Sequence, residues 1–134
     1  MSYFLDTNII VACLRDRAPS AFQRIYAEPA RSILLPLQVV AELRLGAARS
    51  ANPVRSRLRV DQFIQPFAIV WPVEQTIEHY VQIRAALEQA GMPISEPDLW
   101  IAATTRSANG TLVTDNTGEF ARVPGLRLEN WLKG

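Results

Sequence analysis

The chain has 134 residues, of which 49% are hydrophobic and 20% are charged, so it can bury one core and does not have the composition of a disordered chain. Its single cysteine, Cys13, excludes an intramolecular disulfide framework and lies in an apolar run that predicts burial. The net charge of +1 conceals an asymmetry, because residues 1–60 carry nine arginines against four acidic residues, a pattern compatible with scatter or with a surface that faces an anion such as nucleic acid.

Apolar patterns predict two strands and four helices in the first half of the chain. Short apolar runs predict strands at residues 3–6 and 32–36. Amphipathic spacing predicts helices at residues 7–15, 20–27, 38–50 and 54–64. Pro36 stops the second strand because it cannot donate to a strand ladder, and the pair Asn52-Pro53 separates the last two helices.

The second half of the chain continues this alternation. Strand-like runs cover residues 67–72 and 111–114, and helical patterns cover residues 73–91 and 98–108. Gly91 ends the first of these helices, Gly110 lies near the end of the second, and residues 115–120 form a loop or a helix start. The alternation predicts an α/β fold, a three-layer α/β/α sandwich around a mainly parallel sheet, in a single domain that spans residues 1–134.

Two aspartates follow predicted strands, where each strand passes into the next segment. Asp6 ends the strand YFLD, and Asp115 follows the strand TLVT. Because ligands collect at the carboxyl ends of parallel strands, both positions favour a functional site. Each aspartate could equally serve only as a helix N-cap.

Two further acids lie on helix faces where a solvated side chain is not expected. Glu42 borders the apolar stripe of its helix, and Gly46 one turn later leaves room beside it. Its alternative role is a surface ion pair with Arg49 or another arginine. Asp98 heads a helix face of small and apolar residues, and its alternative role is a capping box with Ser95.

The four acids together indicate a bound cation. Asp6, Glu42, Asp98 and Asp115 are far apart in sequence, yet each is predicted at a strand end or helix edge that could face one side of one sheet. Carboxylates gathered without a counter-charge repel one another and raise their own pKa values, so such a cluster implies a cation. Hard divalent ions prefer oxygen ligands, and Mg²⁺ typically uses one or two carboxylates, waters and substrate phosphate.

Other chemistries and locations have little support in the sequence. His79 is the only histidine and is predicted on the solvated side of its helix, which argues against a histidine-rich zinc site and against a Ser-His pair. The glycine-rich nucleotide-binding fingerprints are absent. The N-terminus lacks the basic region of a secretory signal and no apolar run is long enough to span a membrane, so we expect a cytoplasmic protein with no membrane partner.

Five fragments occur in a characteristic order along nearly the whole chain. They are FLDTNI, AELRLGA, PDLWIAA, LVTDNTGEF and VPGLRLENW. In this order and at these spacings the sequence resembles the PIN-domain ribonucleases, and among them the VapC toxins of bacterial toxin–antitoxin systems. The resemblance implies a PIN-type α/β/α sandwich in which acidic residues bind Mg²⁺ or Mn²⁺ and hydrolyse RNA phosphodiester bonds.

The resemblance also assigns roles to individual residues by position. It implies that Asp6 and Asp98 are direct metal ligands, and that Glu42 is a ligand through water or the base that takes the proton of the attacking water. Thr7 and Asn8 match the polar residues that follow the first acid and help to hold the site.

The fourth acidic position does not match the family pattern directly. Family members may carry this acid one place later, where this chain has Asn116. We therefore expect Asp115 to be the fourth catalytic and metal-binding acid, with Glu119 as the alternative, and the site to hold one or two metal ions.

The resemblance further implies partners. It implies an RNA substrate, often transfer RNA, a VapB-type antitoxin that covers the site, and a homodimer. The arginine-rich stretch from Arg44 to Arg59 could hold the RNA backbone or face a partner. Two alternatives are a PIN fold that binds RNA or antitoxin without turnover and a phosphohydrolase of the haloacid dehalogenase type, whose D-x-D motif would need an aspartate where this chain has Asn8.

Overall fold

A computed structural model describes residues 1–133, in which strands and helices alternate along the chain. The strands are β1 (Tyr3–Leu5), β2 (Ile33–Pro36), β3 (Ala68–Val70), β4 (Thr111–Val113) and β5 (Arg127–Glu129). The α-helices are α1 (Thr7–Leu14), α2 (Pro19–Ala27), α3 (Leu37–Ala48), α4 (Pro53–Ile64), α5 (Glu74–Gln89), α6 (Glu96–Ser107) and α7 (Thr117–Phe120). A short 3-10 helix, Ala30–Ser32, precedes β2.

The five strands form one parallel sheet in the order β3-β2-β1-β4-β5. In the centre, Phe4 of β1 is paired with Leu34 of β2 on one side and with Leu112 of β4 on the other. The helices α1, α3 and α4 contact one another, and α5 packs against α6. This arrangement confirms the predicted α/β fold with a central parallel sheet.

The central strands are short and apolar throughout because helices cover both faces of a parallel sheet. Phe4 and Leu5 of β1 and Leu112 of β4 are completely buried. Gly110 lies directly before β4, where an added Cβ atom would be 2.5 Å from the Phe4 ring. Gly110 therefore lets β4 approach β1 at the position where Phe4 enters the core.

The caps expected from the sequence are present. The Asp6 side chain accepts a hydrogen bond from the Thr7 N–H at the start of α1, and the Ser95 hydroxyl accepts one from the Asp98 N–H at 3.4 Å at the start of α6. Gly91 has a φ of +67° just beyond the end of α5, a conformation that glycine adopts at low cost. Cys13 is buried, as its apolar surroundings predicted.

Three features differ from expectation. The helix predicted from Asp98 begins two residues earlier at Glu96, because Ser95 is its cap and Pro97 fits the first turn. The C-terminal segment, for which no element was assigned, contains β5, whose charged residues Arg127 and Glu129 suit an exposed edge strand. The prediction that His79 is solvated was wrong, since it is half-buried and its Nδ1 accepts a hydrogen bond from Arg106 Nε at 2.8 Å.

Within residues 1–133, no helix combines the length and the apolar character that crossing a membrane requires.

The sheet order has a direct consequence for the site, because β1 lies between β2 and β4. The segments that follow these three strands meet at one edge of the sheet. They carry Asp6, the start of α3, and the loop that begins with Thr114 and Asp115.

Candidate active site

Asp6 lies at the centre of this edge, with 6% of its surface exposed. Its Oδ1 accepts a hydrogen bond from the Thr7 N–H at 2.8 Å, and its Oδ2 accepts one from the Thr114 hydroxyl at 2.8 Å. Burial raises the pKa of Asp6, the two hydrogen bonds counteract part of the rise, and the nearby Glu119 carboxylate adds to it. The two hydrogen bonds thus orient both oxygens of the carboxylate, whereas burial makes its negative charge energetically unfavourable.

Glu42 approaches Asp6 from the third helix. Desolvation of its carboxylate raises the pKa of Glu42, the nearby Thr7 hydroxyl opposes the rise, and repulsion from Asp6 adds to it. Among residues 1–133 Glu42 makes no ion pair, so the alternative of a pair with Arg49 has no support. Its unpaired charge therefore adds to that of Asp6.

Asp98 and Glu119 form a coupled pair of carboxyl groups beside Asp6. Burial, a hydrogen bond with Glu119 and repulsion from Asp6 raise the pKa of Asp98 to about 7. The pKa of Glu119 is lowered, first because its Oε2 accepts a hydrogen bond from Asn116 Nδ2 at 2.9 Å. Without a cation, Asp98 is therefore the protonated partner and Glu119 the charged one.

Two other residues that the sequence predicted at the site, Asp115 and Asn8, are exposed. Asp115 is exposed, and its Oδ1 accepts a hydrogen bond from Asn130 Nδ2 at 3.2 Å. It is not among the groups that perturb Asp6 or Asp98, whereas Glu119 perturbs both. Asn8 is exposed on α1. The structure thus brings together Asp6, Glu42, Asp98 and Glu119, with Thr7 between the first two.

The chemistry of this acidic cluster fits a divalent cation. No arginine, lysine or histidine among residues 1–133 forms an ion pair with Asp6, Glu42, Asp98 or Glu119. Two buried side-chain oxygens also lack a hydrogen-bond partner in this part of the chain, Thr7 Oγ1 and Gln38 Oε1. Gln38 lies one turn before Glu42 on α3 and so shares its face.

The side chains do not form a closed ligand cage. In the described part of the chain, no three His, Cys, Asp or Glu side chains are placed to hold one ion together. This geometry fits an ion held by one or two carboxylates with water in the other positions, which is the usual arrangement for Mg²⁺.

Sequence reasoning missed Thr114, which contacts Asp6, and Gln38, which shares the Glu42 face of α3. Thr114 ends the predicted strand 111–114, and the rule that ligands collect at strand ends could have identified it alongside Asp115. Gln38 could have been found from its spacing of four residues before Glu42 on a helix.

The arginine-rich stretch is only partly free to bind an anion. Arg44 Nε and Arg57 Nε both pair with Asp61, at 3.4 Å and 2.9 Å. Arg59 donates to the main-chain carbonyl of Leu14 at the end of α1.

The sequence has relatives among known proteins. The sequence matches the PIN domain family over residues 3–126. It is 34% identical to ribonuclease VapC2 of Rickettsia felis over 134 residues, 99% of this chain and 100% of the relative. It is 31% identical to the tRNA(fMet)-specific endonuclease VapC of Shigella flexneri over 131 residues, 98% of each chain.

The fold leads to the same family. It is similar to a chain in the crystal structure of VapBC2 from Rickettsia felis bound to a DNA fragment from their promoter, with a TM-score of 0.90 and 33% identity over 98% of this chain and 99% of that chain. These matches leave no basis for the haloacid dehalogenase alternative. The chain therefore belongs to the PIN-domain family and, within it, to the VapC ribonucleases.

Proposed function

We propose that this protein is a metal-dependent endoribonuclease toxin that hydrolyses phosphodiester bonds of RNA, with transfer RNA as the substrate. The observation that carries the proposal is the cluster of Asp6, Glu42 and Asp98, whose pKa values are all raised and which has no ion pair within residues 1–133. Such a cluster is stabilised by a divalent cation and is suited to hydrolysis at a phosphate. The name of the Shigella flexneri relative supports transfer RNA.

Each residue has a proposed role. Asp6 and Asp98 would hold a Mg²⁺ or Mn²⁺ ion, with Glu119 rather than the exposed Asp115 completing the acidic site. When bound, the ion would lower the pKa of a water molecule and neutralise charge on the scissile phosphate. Glu42, which is exposed on α3 and has a raised pKa, is suited to accept the proton of the attacking water.

Thr7 has two proposed functions. Its N–H fixes Asp6 Oδ1 at 2.8 Å, and its hydroxyl lies near Glu42. Its N–H would therefore orient the metal-binding acid, and its hydroxyl, which has no hydrogen-bond partner among residues 1–133, is available to the Glu42 carboxylate.

We also propose a VapB-type antitoxin as the inhibitory partner and the cytoplasm as the location. The antitoxin is supported by the similarity of this fold to VapBC complexes.

We further propose a homodimer. Its support is an apolar stripe on α5, where Val73, Ile77 and Val81 are spaced by four residues and are 62%, 49% and 55% exposed. Exposed apolar patches of this kind commonly mark protein interfaces.

The test of the function is cleavage of RNA by purified protein that has been freed of antitoxin. We expect an initiator transfer RNA transcript to be cut with Mg²⁺, to stay intact with EDTA, and to stay intact with Asp6→Asn at equal protein concentration. Equal RNA loss in the wild type and in Asp6→Asn would reveal contamination and contradict the assignment.

A second candidate function is binding of RNA or antitoxin without turnover. One observation favours it: Asn116 occupies the position where family members can carry the fourth acid. The same assay separates the two functions, because a binding module would retain RNA in the wild type and in Asp6→Asn but cut it in neither.

A further inference from the structure

A cavity of about 240 Å³ opens beside Glu42, between α1, α3 and α4. We refer to it as the α1–α3–α4 cavity. Its walls are mainly apolar and include Val11, Leu14 and Leu43. Two serine hydroxyls, those of Ser50 and Ser56, also line it and lie 2.8 Å from each other.

This cavity adjoins the acidic cluster through Glu42. Glu42 lines the cavity and also lies close enough to Asp6 for the two charges to interact. Along α1, the cavity reaches Arg15, eight residues beyond Thr7, a distance of about 12 Å at the rise of an α-helix. A strand of RNA with its scissile phosphate at the acids would therefore pass this cavity if it ran along α1.

The charge around the acidic cluster favours that direction. Arg15 and Arg59 line the cavity, and neither forms an ion pair with any residue in the described range 1–133. On the side formed by α6 and α7, Glu96 is paired with Arg84, and the Glu119 carboxylate has no ion pair within residues 1–133. Because an RNA backbone is anionic, the two unpaired arginines attract it toward the cavity.

Gly46 provides a second, independent observation. It lines the cavity from the interior of α3, where an added Cβ atom would meet nothing within 4 Å. Its backbone does not need glycine, since its φ is not positive, and a helix-interior glycine lowers stability by about 1 kcal/mol relative to alanine. The fold therefore does not explain this glycine, whereas the space that it leaves beside Glu42 does.

We propose that the α1–α3–α4 cavity is a nucleotide subsite, which accepts one unstacked base next to the scissile bond and holds the adjoining phosphate with Arg15 and Arg59. This inference rests on the proposed ribonuclease function. Proteins that recognise RNA commonly take up single-stranded bases that have left the stack, and here apolar walls would contact the base while serine hydroxyls reach its edge.

The test fills the cavity without touching the acids. A fluorescein-labelled initiator transfer RNA transcript is titrated with Asp6→Asn protein, which we expect to bind RNA without cutting it, and anisotropy is measured. Adding Gly46→Leu should weaken binding at least about tenfold, which corresponds to about 1.4 kcal/mol. The matched control is Ala48→Leu, which places the same side chain at an exposed position two residues later on another face of α3 and should leave RNA binding unchanged.

Two further measurements show that Gly46→Leu acts on the cavity alone. Its circular dichroism spectrum should match that of the Ala48→Leu protein, and its melting temperature should be no lower, because replacing a helix-interior glycine favours the helix. On the wild-type background, Gly46→Leu should also leave Mn²⁺ binding, followed by electron paramagnetic resonance, at the wild-type level. A loss of Mn²⁺ binding would mean that the substitution disturbs the acidic site, and the subsite would be rejected.

The arginines are tested separately by the dependence of binding on salt. Arg15→Gln should weaken RNA binding and lower the slope of log K against log salt by about 1. Arg31→Gln is the control, because Arg31 is exposed on the 3-10 helix before β2, at the opposite edge of the sheet. Equal effects of the two substitutions would overturn the phosphate contact.

The outcomes distinguish the subsite from the function. If the wild type cuts RNA and Gly46→Leu both cuts and binds it equally well, the subsite is wrong and the ribonuclease function stands. If Gly46→Leu instead abolishes only the inhibition by a co-expressed antitoxin, the cavity accepts an antitoxin side chain and the subsite is wrong. If Asp6→Asn protein binds no RNA and the wild type cuts none, the function fails and the subsite fails with it.

Discussion

At the scale of single residues, the most constrained group is the Asp6 carboxylate. The Thr114 hydroxyl donates to Asp6 Oδ2 and in turn accepts a hydrogen bond from the Asn116 N–H at 3.0 Å. We predict that Thr114→Val lowers divalent-metal affinity by about tenfold, because residues that orient ligands typically contribute that much, and that Thr114→Ser retains it. Titration with Mn²⁺ measures this, and equal affinities for the valine and serine variants would exclude a positioning role.

The identity of the fourth acid is decided by a matched pair of substitutions. Glu119 lies beside Asp98, whereas Asp115 is exposed and hydrogen-bonded to Asn130. We predict that Glu119→Gln lowers kcat/KM for RNA by at least about tenfold and that Asp115→Asn changes it by less than about twofold. The reverse ranking would return the role to Asp115.

The raised pKa of Asp98 gives stability a defined dependence on pH. Because its pKa is raised to about 7, Asp98 binds its proton more tightly in the folded state than in the unfolded state. The stability that this proton gives the folded state is therefore complete at low pH and is lost as the pH rises through about 7. The pKa values of Asp6 and Glu42 are also raised, so these acids change stability in the same direction. The pKa of Glu119 is lowered, so its effect on stability falls in a more acidic pH range.

We therefore predict that metal-free protein melts at a lower temperature at about pH 8 than at about pH 6. Asp98→Asn should reduce this difference, and Mg²⁺ should stabilise the wild type most at the higher pH, because the ion needs the ionised carboxylate. Thermal unfolding measures all three, and a higher melting temperature at the higher pH without metal would contradict the prediction.

At the scale of elements, the approach of β4 to β1 depends on Gly110. An alanine there would place its Cβ 2.5 Å from the fully buried Phe4 ring, so the ring or the strand must move. We predict that Gly110→Ala lowers the free energy of unfolding by about 1–3 kcal/mol, the usual cost of overpacking a core. Urea unfolding measures it against Gly118→Ala, whose Cβ would meet nothing within 4 Å, and equal stabilities would contradict the prediction.

The sequence predicted most elements because local signals mark them. Gly91, Ser95 and the pair Asn52-Pro53 lie at helix ends that the structure confirms or shifts by only two residues. The edge strand β5 was not recognised, since its alternating charged residues carry no apolar signal. The order of the strands also could not be read from the sequence, because it depends on contacts between distant segments.

For the candidate site, the sequence predicted Asp6 and Asp98 because a strand end or a helix start fixes where a side chain lies, and their roles stay predictions. The choice between Asp115 and Glu119 depends on how the chain bends after β4 and on the short helix α7, and no periodic pattern records that bend. The partnership of Thr114 with Asp6 joins residues 108 positions apart, so only the sheet pairing reveals it.

At the scale of the whole molecule, the exposed stripe of Val73, Ile77 and Val81 on α5 leaves apolar surface in water. A second copy related by a two-fold axis would bury the same stripe on both chains, since such interfaces are self-complementary. Aromatic and charged groups flank it, because Tyr80 stacks on Trp100 with ring centroids 4.2 Å apart and its hydroxyl accepts a hydrogen bond from Arg84 at 2.6 Å. A polar rim around an apolar centre is the usual form of a protein interface.

We predict that Val81→Glu converts the proposed dimer into a monomer, because it would bury a carboxylate without a partner. Sedimentation equilibrium at micromolar protein measures the mass in solution. Val54→Glu is the matched control, since Val54 is also exposed but lies on α4, away from the stripe, and should leave the dimer intact. A wild type that is monomeric, or a Val81→Glu protein that remains dimeric, would show that α5 is not the interface.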